Sequence, residues 1–418
     1  MNEFIKNISK NKEFFFDKFV FFTCIIDCLF LPYIWFVSIP YTMPLLLYWY
    51  IRKYKILKND IRYQSEYKLF IALFILMSLS TIFSFIVAPQ YAYKNIVFLI
   101  LYSAMFLYYF MFLYYLDRYK ITIRNFLILF ILFVVTLAII FNIDKAFYHN
   151  TILYWNLRSG ISINDTLYQD YIGYRYTFIW MDANNIGYMM NAIVLYLWCN
   201  EKTNFFIKVF SLLSLLFVLI ACMSNGAFLS FGIGFGIYAL VKIFEILRGN
   251  HKKKYKITPI NMILFLITLF ALYKIIPQIP NYLESGIAIE SMERISNNSG
   301  EGRILIWQTV IQSVNFFEFI LIGKGGVTLV DGLKFAPHNG HFYWILGYGF
   351  IAYSIFMYLV FRKRKVTSIK KYIWIAPILI GFTVNVLLGE IKMMSIIMLL
   401  IACSSSTKYL RGSQTSGK

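Results

Sequence analysis

Charge is scarce in this sequence: 14% of its 418 residues are Asp, Glu, Lys or Arg, and only 20 are acidic. Soluble domains carry about a quarter charged residues, so this composition cannot cover a water-facing surface of that size. Cysteine is scarce too: Cys24, Cys28, Cys199, Cys222 and Cys403 all fall in or at the ends of apolar runs. That placement argues against a disulfide-framed secreted scaffold and a zinc site, and no metal or cofactor is expected. A P-loop is lacking, since the glycine cluster Gly323-Lys324-Gly325-Gly326 has the wrong spacing. No internal repeat is visible that would mark the inverted halves of a transporter.

What is abundant is apolar. Hydrophobic residues make up 60% of the chain, aromatics 20%, and the mean hydropathy is +0.64. Disorder is excluded, and the fold class read from this is all-α, a polytopic transmembrane helix bundle. At about 20 residues per crossing, the apolar runs predict about 12 spans. They lie near 19–33, 35–51, 69–88, 96–116, 126–142, 185–199, 206–223, 226–247, 258–276, 342–361, 373–389 and 393–403. The run from Phe19 to Ile51 is too long for one span and contains Pro32 and Pro40, so it is split in two. The basic residues before it precede no small-residue cleavage site, and a retained first helix is expected.

The formal charge of +20 raises the question of nucleic acid, which the placement of the basic residues answers. With the N-terminus inside, 30 of the 40 Lys and Arg fall in the expected cytoplasmic segments, and acidic residues show no such bias. This is the positive-inside pattern, so the partner is a lipid bilayer and not nucleic acid. Both termini are then cytoplasmic. Residues 1–142 hold the N-terminal helices, 143–184 a first long outer loop, and 185–276 further spans. Residues 277–341 form a second, larger outer loop, 342–403 the C-terminal spans, and 404–418 a polar tail. Long loops concentrate function, so functional residues are expected first in the two outer ones.

In the larger loop, Gly300-Glu301-Gly302-Arg303 leads into a helical pattern in which Ile304, Trp307, Ile311 and Val314 share one face, with Arg303 in the first turn. Free amides and an arginine at a helix start suit a phosphate; a solvated surface helix gives the same pattern. Pro337-His338-Asn339-Gly340-His341 stands directly before the span at Phe342. A neutral imidazole there can take a proton from a hydroxyl, whereas the plainer reading is a polar helix start capped by Asn339. In the first loop, Arg175 stands between Tyr174 and Tyr176 and precedes Asp182, Asn184 and Asn185. Aromatic stacking could hold its guanidinium, or it could snorkel at an interfacial belt, and the polar residues after it suit helix caps. Ser224-Asn225-Gly226 reads as a tight turn, Glu390 and Lys392 as a surface pair, and Asp27 as a carboxylate facing the bundle interior.

The order of these pieces resembles the O-antigen polymerase and O-antigen ligase superfamily of integral membrane glycosyltransferases. The likeness runs from about Tyr174 to Phe361 and is most specific at Gly302-Arg303 with Trp307, Gly323 to Gly326, His338-Asn339 and Gly347 to Gly349. It implies a GT-C-like multi-span fold in the bacterial inner membrane, with short helices in the outer loops. Its outward cavity would take undecaprenyl-diphosphate-linked glycan as donor and acceptor. Arg175 and Arg303 would clamp the diphosphate and His338 would be the base. Asn339, His341, Asn185, Trp307, Arg158 and Lys324 would be substrate contacts. A polysaccharide chain-length regulator is a further candidate partner. The sequence departs from the family where Ser-Arg is usual and Ser224-Asn225 stands, so that the role of that arginine is absent or moved to Arg158, and where Asn-Pro-Asn is usual and Ala183-Asn184-Asn185 stands. The implied activity is polymerisation of oligosaccharide repeat units into O-antigen or a related surface polysaccharide. The alternative is ligation of the polymer to lipid A core. A lipid-linked oligosaccharide flippase would need charged residues along a central path and helices broken at repeated positions.

Overall fold

The computed structural model describes residues 2–31, 40–119, 123–153, 175–179, 183–200, 203–247, 299–326, 339–362, 371–384 and 391–406. Among these the chain is helical, with no strand. The longer helices are α1 (Asn2–Phe30), α2 (Met43–Asn59), α3 (Gln64–Val87), α4 (Ala92–Arg118), α5 (Arg124–Ile143), α6 (Ala183–Cys199) and α7 (Phe205–Cys222). They are followed by α8 (Asn225–Leu247), α9 (Ser299–Ser313), α10 (Gly340–Tyr348), α11 (Phe350–Phe361), α12 (Lys371–Val384) and α13 (Ile391–Ser405). Five helical stretches, Gln64–Val87, Pro89–Arg118, Arg124–Ile143, Phe205–Cys222 and Gly226–Leu247, are long and apolar enough to cross a membrane. They point to a membrane protein.

The chain divides into two compact units, one of residues 1–235 with 313–418, the other of residues 236–312. In the first, α4 packs along α13 and α3, α6 along α12 and α7, and α5 along α7. α4 and α6 read as apolar on every side, and both are buried nearly all round, from Leu101 to Asp117 and from Asn185 to Leu197. A helix without a polar stripe belongs at the centre of a bundle. The described part of the second unit holds the later turns of α8, with an ion pair between Lys242 and Glu245 at 2.7 Å, and most of α9.

Several boundaries differ from the sequence expectations. The second span was expected at 35–51, but α2 starts at Met43 and runs to Asn59. Pro44 fixes that start, because proline fits only the first helical turn. Asp27 of α1 is buried as expected: its Oδ2 accepts from the Thr42 amide at 2.7 Å and hydroxyl at 2.8 Å, meeting the positive end of α2. The span expected at 342–361 is two helices broken at Gly349, whose φ is +89°. α9 begins at Ser299, so Arg303 is its fifth residue and lies beyond the first turn with its free amides. Val310, and not the expected Ile304 and Ile311, is the buried apolar residue of that helix. The span expected at 258–276 lies outside the described residues, as do Glu390 and the side chain of Lys392.

One end of the first unit gathers several charged side chains. Asp17 and Lys53, both buried, pair at 3.4 Å, and Trp49 donates to Asp17 at 3.1 Å. Lys53 and Arg118 both stand over the Tyr114 ring, at 5.4 and 4.3 Å. Arg62 clasps Asp60 and holds that carboxyl below the usual range. Arg362 donates to Ser65 and pairs with Glu66, and Lys371 donates to the Arg362 carbonyl.

Candidate functional site

Residues 175–179 form a non-helical segment seated on α5 and α7. Tyr176 donates through its amide to the Ala221 carbonyl at 3.0 Å and through its hydroxyl to the Val134 carbonyl at 2.7 Å. Phe178 holds a left-handed φ of +56°, and its ring packs edge-on against Phe130 and Phe133. A phenylalanine with positive φ is strained, so the contacts around it over-determine this backbone. Arg175 is half-buried at the head of this segment.

The Arg175 guanidinium is held by hydrogen bonds. Its Nε donates to the Cys222 carbonyl at 2.9 Å and one terminal nitrogen donates to Asn184 Oδ1 at 3.1 Å. α7 ends at Cys222 in a left-handed Met223, and the arginine satisfies one of the carbonyls that a helix end leaves without a partner. Asn184 Oδ1 also accepts from Ser224 Oγ at 2.7 Å, and Ser224 Oγ accepts from the Ala227 amide at 3.2 Å, capping α8. The turn expected over Ser224-Asn225-Gly226 is instead a helix start, with Asn225 and Gly226 already helical and Ser224 as the cap. The expected aromatic stacking on Arg175 is not found among the described residues, because the Tyr176 ring packs on Phe141 and Tyr148 instead. Both acceptors of the guanidinium are neutral, and among the described residues no carboxylate pairs with it. The N-termini of α6 and α8 stand at the same place, and their dipoles add positive potential.

The two glycine clusters of the sequence meet. The Lys324 amide donates to the Leu346 carbonyl at 2.9 Å, Gly325 to Gly347 at 2.8 Å, and Gly323 to Ser80 Oγ at 3.2 Å. Ser80 lies two turns before the end of α3, about 10 Å along that helix. Non-helical backbone at such a depth in an apolar bundle needs every polar group paired, and the broken helix α10–α11 supplies the carbonyls. A side chain at Gly323 would collide with the Gly347 backbone, and Gly349 lies against the Leu321 carbonyl. Glycine is required at these points by close approach and positive φ.

α10 carries the polar residues that follow this loop. Asn339 caps it, Oδ1 accepting from the His341 and Phe342 amides at 3.0 and 3.1 Å, so the capping reading holds and that oxygen is committed. His341, half-buried, has Nδ1 2.9 Å from the Tyr353 hydroxyl of α11 and Nε2 3.4 Å from Thr383 Oγ1 of α12. Burial lowers its pKa from the ordinary value, and a hydrogen bond with the Leu379 backbone opposes that only in part. The ring is neutral near pH 7 and bridges two helices.

The remaining candidates scatter. His338 and Arg158 lie outside the described residues. Asn185 is buried in α6, and Lys324 stands 5.6 Å over the Phe319 ring. Arg303 and the half-buried Trp307 belong to α9 in the second unit. Sequence reasoning missed the Ser224–Asn184–Arg175 chain and the Tyr353 and Thr383 partners of His341. For the first, the one available signal was a serine three residues before Ala227 at a helix start, the spacing of an N-cap. Compared with family models, curated proteins and solved structures, the chain matches none.

Proposed function

We propose that the protein is a metal-independent membrane glycosyltransferase that polymerises undecaprenyl-diphosphate-linked oligosaccharide repeat units into O-antigen or a related surface polysaccharide. The observation that carries this reading is Arg175: a guanidinium fixed by two neutral acceptors, beside two helix N-termini, keeps its charge for an anionic ligand such as a lipid diphosphate. The motif order around Arg303, the glycine clusters and His338-Asn339 supports the same family.

In this reading the chain crosses the bacterial inner membrane about 12 times with both termini cytoplasmic. Residues from four expected inner segments, near 13–18, 52–68, 117–118 and 362–371, interact at a single end of the first unit, which supports that topology. The reaction joins an acceptor sugar hydroxyl to C1 of the donor sugar. The bond from C1 to the diphosphate oxygen breaks, and undecaprenyl diphosphate leaves with the electron pair. Arg175 and, from its sequence motif, Arg303 stabilise the charge that grows on the leaving group. His338 takes the hydroxyl proton.

The test is incorporation of a labelled lipid-linked repeat unit by purified protein in liposomes, without nucleotide or metal. A ladder of lengthening lipid-linked glycans is expected, with losses of at least about 100-fold in Arg303→Ala and His338→Ala. Transfer only after adding a lipid A core acceptor would identify the ligase instead, and full activity in both variants would refute the assigned site.

A further inference from the structure

Among the described residues, the arginine is held with no carboxylate partner. A half-buried guanidinium kept only for structure is commonly paired with a carboxylate, which removes its charge as well as fixing its position. Here the two bonds go to the Cys222 carbonyl and the Asn184 amide oxygen, and the second terminal nitrogen makes no hydrogen bond among the described residues. Asn184 Oδ1 uses both lone pairs, one for Arg175 and one for Ser224. Ser224 in turn is fixed by the first turn of α8 through the Ala227 amide. The chain Ala227–Ser224–Asn184–Arg175 therefore ties the start of α8, the start of α6 and the end of α7 to one guanidinium.

We infer that Asn184 is a positioning residue that aims Arg175 while leaving its charge available, with Ser224 orienting Asn184; this rests on the reading of Arg175 as the diphosphate contact. The amide is the specific requirement. An aspartate at 184 would have similar shape and could accept both hydrogen bonds, but its negative charge would pair with Arg175 and repel a diphosphate. A leucine at 184 would keep the bulk and lose the aim. Serine at 224 needs only its hydroxyl, so threonine there should serve.

The experiment measures inorganic pyrophosphate binding calorimetrically to the detergent-purified full chain, alongside its thermal midpoint and the KM and kcat of the polymerisation assay. Wild type should bind pyrophosphate and Arg175→Ala should not. Asn184→Asp should weaken binding and raise KM for the donor by about tenfold or more, with the thermal midpoint held, as like charges juxtaposed in a binding site do. Ser224→Ala should show a smaller loss in the same direction, and Ser224→Thr should restore it. Binding by Asn184→Asp equal to wild type, with Arg175→Ala dead, would overturn the inference and leave the functional reading standing. Pyrophosphate binding with the expected variant order but no glycan polymer would leave the inference standing and sink the polymerase. No binding by wild type, or a drop in thermal midpoint that accounts for every loss, would overturn the inference.

Discussion

Gly323 meets backbone and not a flexible side chain, so nothing beside it can yield to a methyl group. Gly323→Ala should cost at least about 2 kcal/mol, in the range of overpacking a filled core, and a thermal melt in detergent would read it as a fall of several degrees. An unchanged midpoint would mean that the Gly323–Gly347 contact is not made. Tyr348, a neighbour in the same packing, predicts the opposite sign. Among the described residues its buried hydroxyl has no hydrogen-bond partner, nor do the Tyr102 hydroxyl and the Trp344 indole nitrogen of the rings it meets. Removing a buried polar atom that has no partner relieves a desolvation cost, so Tyr348→Phe should leave the melt unchanged or raise it. The residue types of this region were legible in the sequence: both glycine clusters stand out as motifs. Their mutual contact was not, because a pairing between residues 323–325 and 346–347 is made by tertiary packing and leaves no periodic signal.

At the scale of elements, hydropathy located α3 to α8 to within a few residues, since an apolar run of span length dictates a helix almost by itself. It failed where a single residue decides. Pro44 moved the start of α2, and Gly349 broke a run that hydropathy reads as continuous. The connection between α11 and α12 offers a pH test. Lys371 is buried at the start of α12, where its ammonium donates to the Arg362 carbonyl at the end of α11, and burial lowers its pKa from 10.5 to about 8. The folded state releases this proton near pH 8 and the unfolded chain near 10.5, so between them the unfolded chain binds more protons. Stability must then rise with pH across that window. The thermal midpoint should climb from pH 8 toward pH 10 in wild type and climb less in Lys371→Met; parallel profiles would show that Lys371 is not buried as the structure has it.

For the molecule as a whole, composition was enough to give an all-helical membrane protein, whereas which helices sit at the centre is read from their burial. The site was legible only in part. Asn184 was visible as a cap candidate, Ser224 as part of a turn and Arg175 as an outer-loop arginine between aromatics, but which of them touch depends on three helices converging. The proposed role of Arg175 is to hold the diphosphate of a lipid-linked glycan donor. Its most direct measurement is the length distribution of glycan made by Arg175→Ala and Arg175→Lys in liposomes, set beside their thermal midpoints. No ladder is expected from Arg175→Ala, a strongly reduced one from Arg175→Lys because a point charge replaces a planar fork, and a midpoint in Arg175→Lys close to wild type. A full ladder from Arg175→Ala would contradict it.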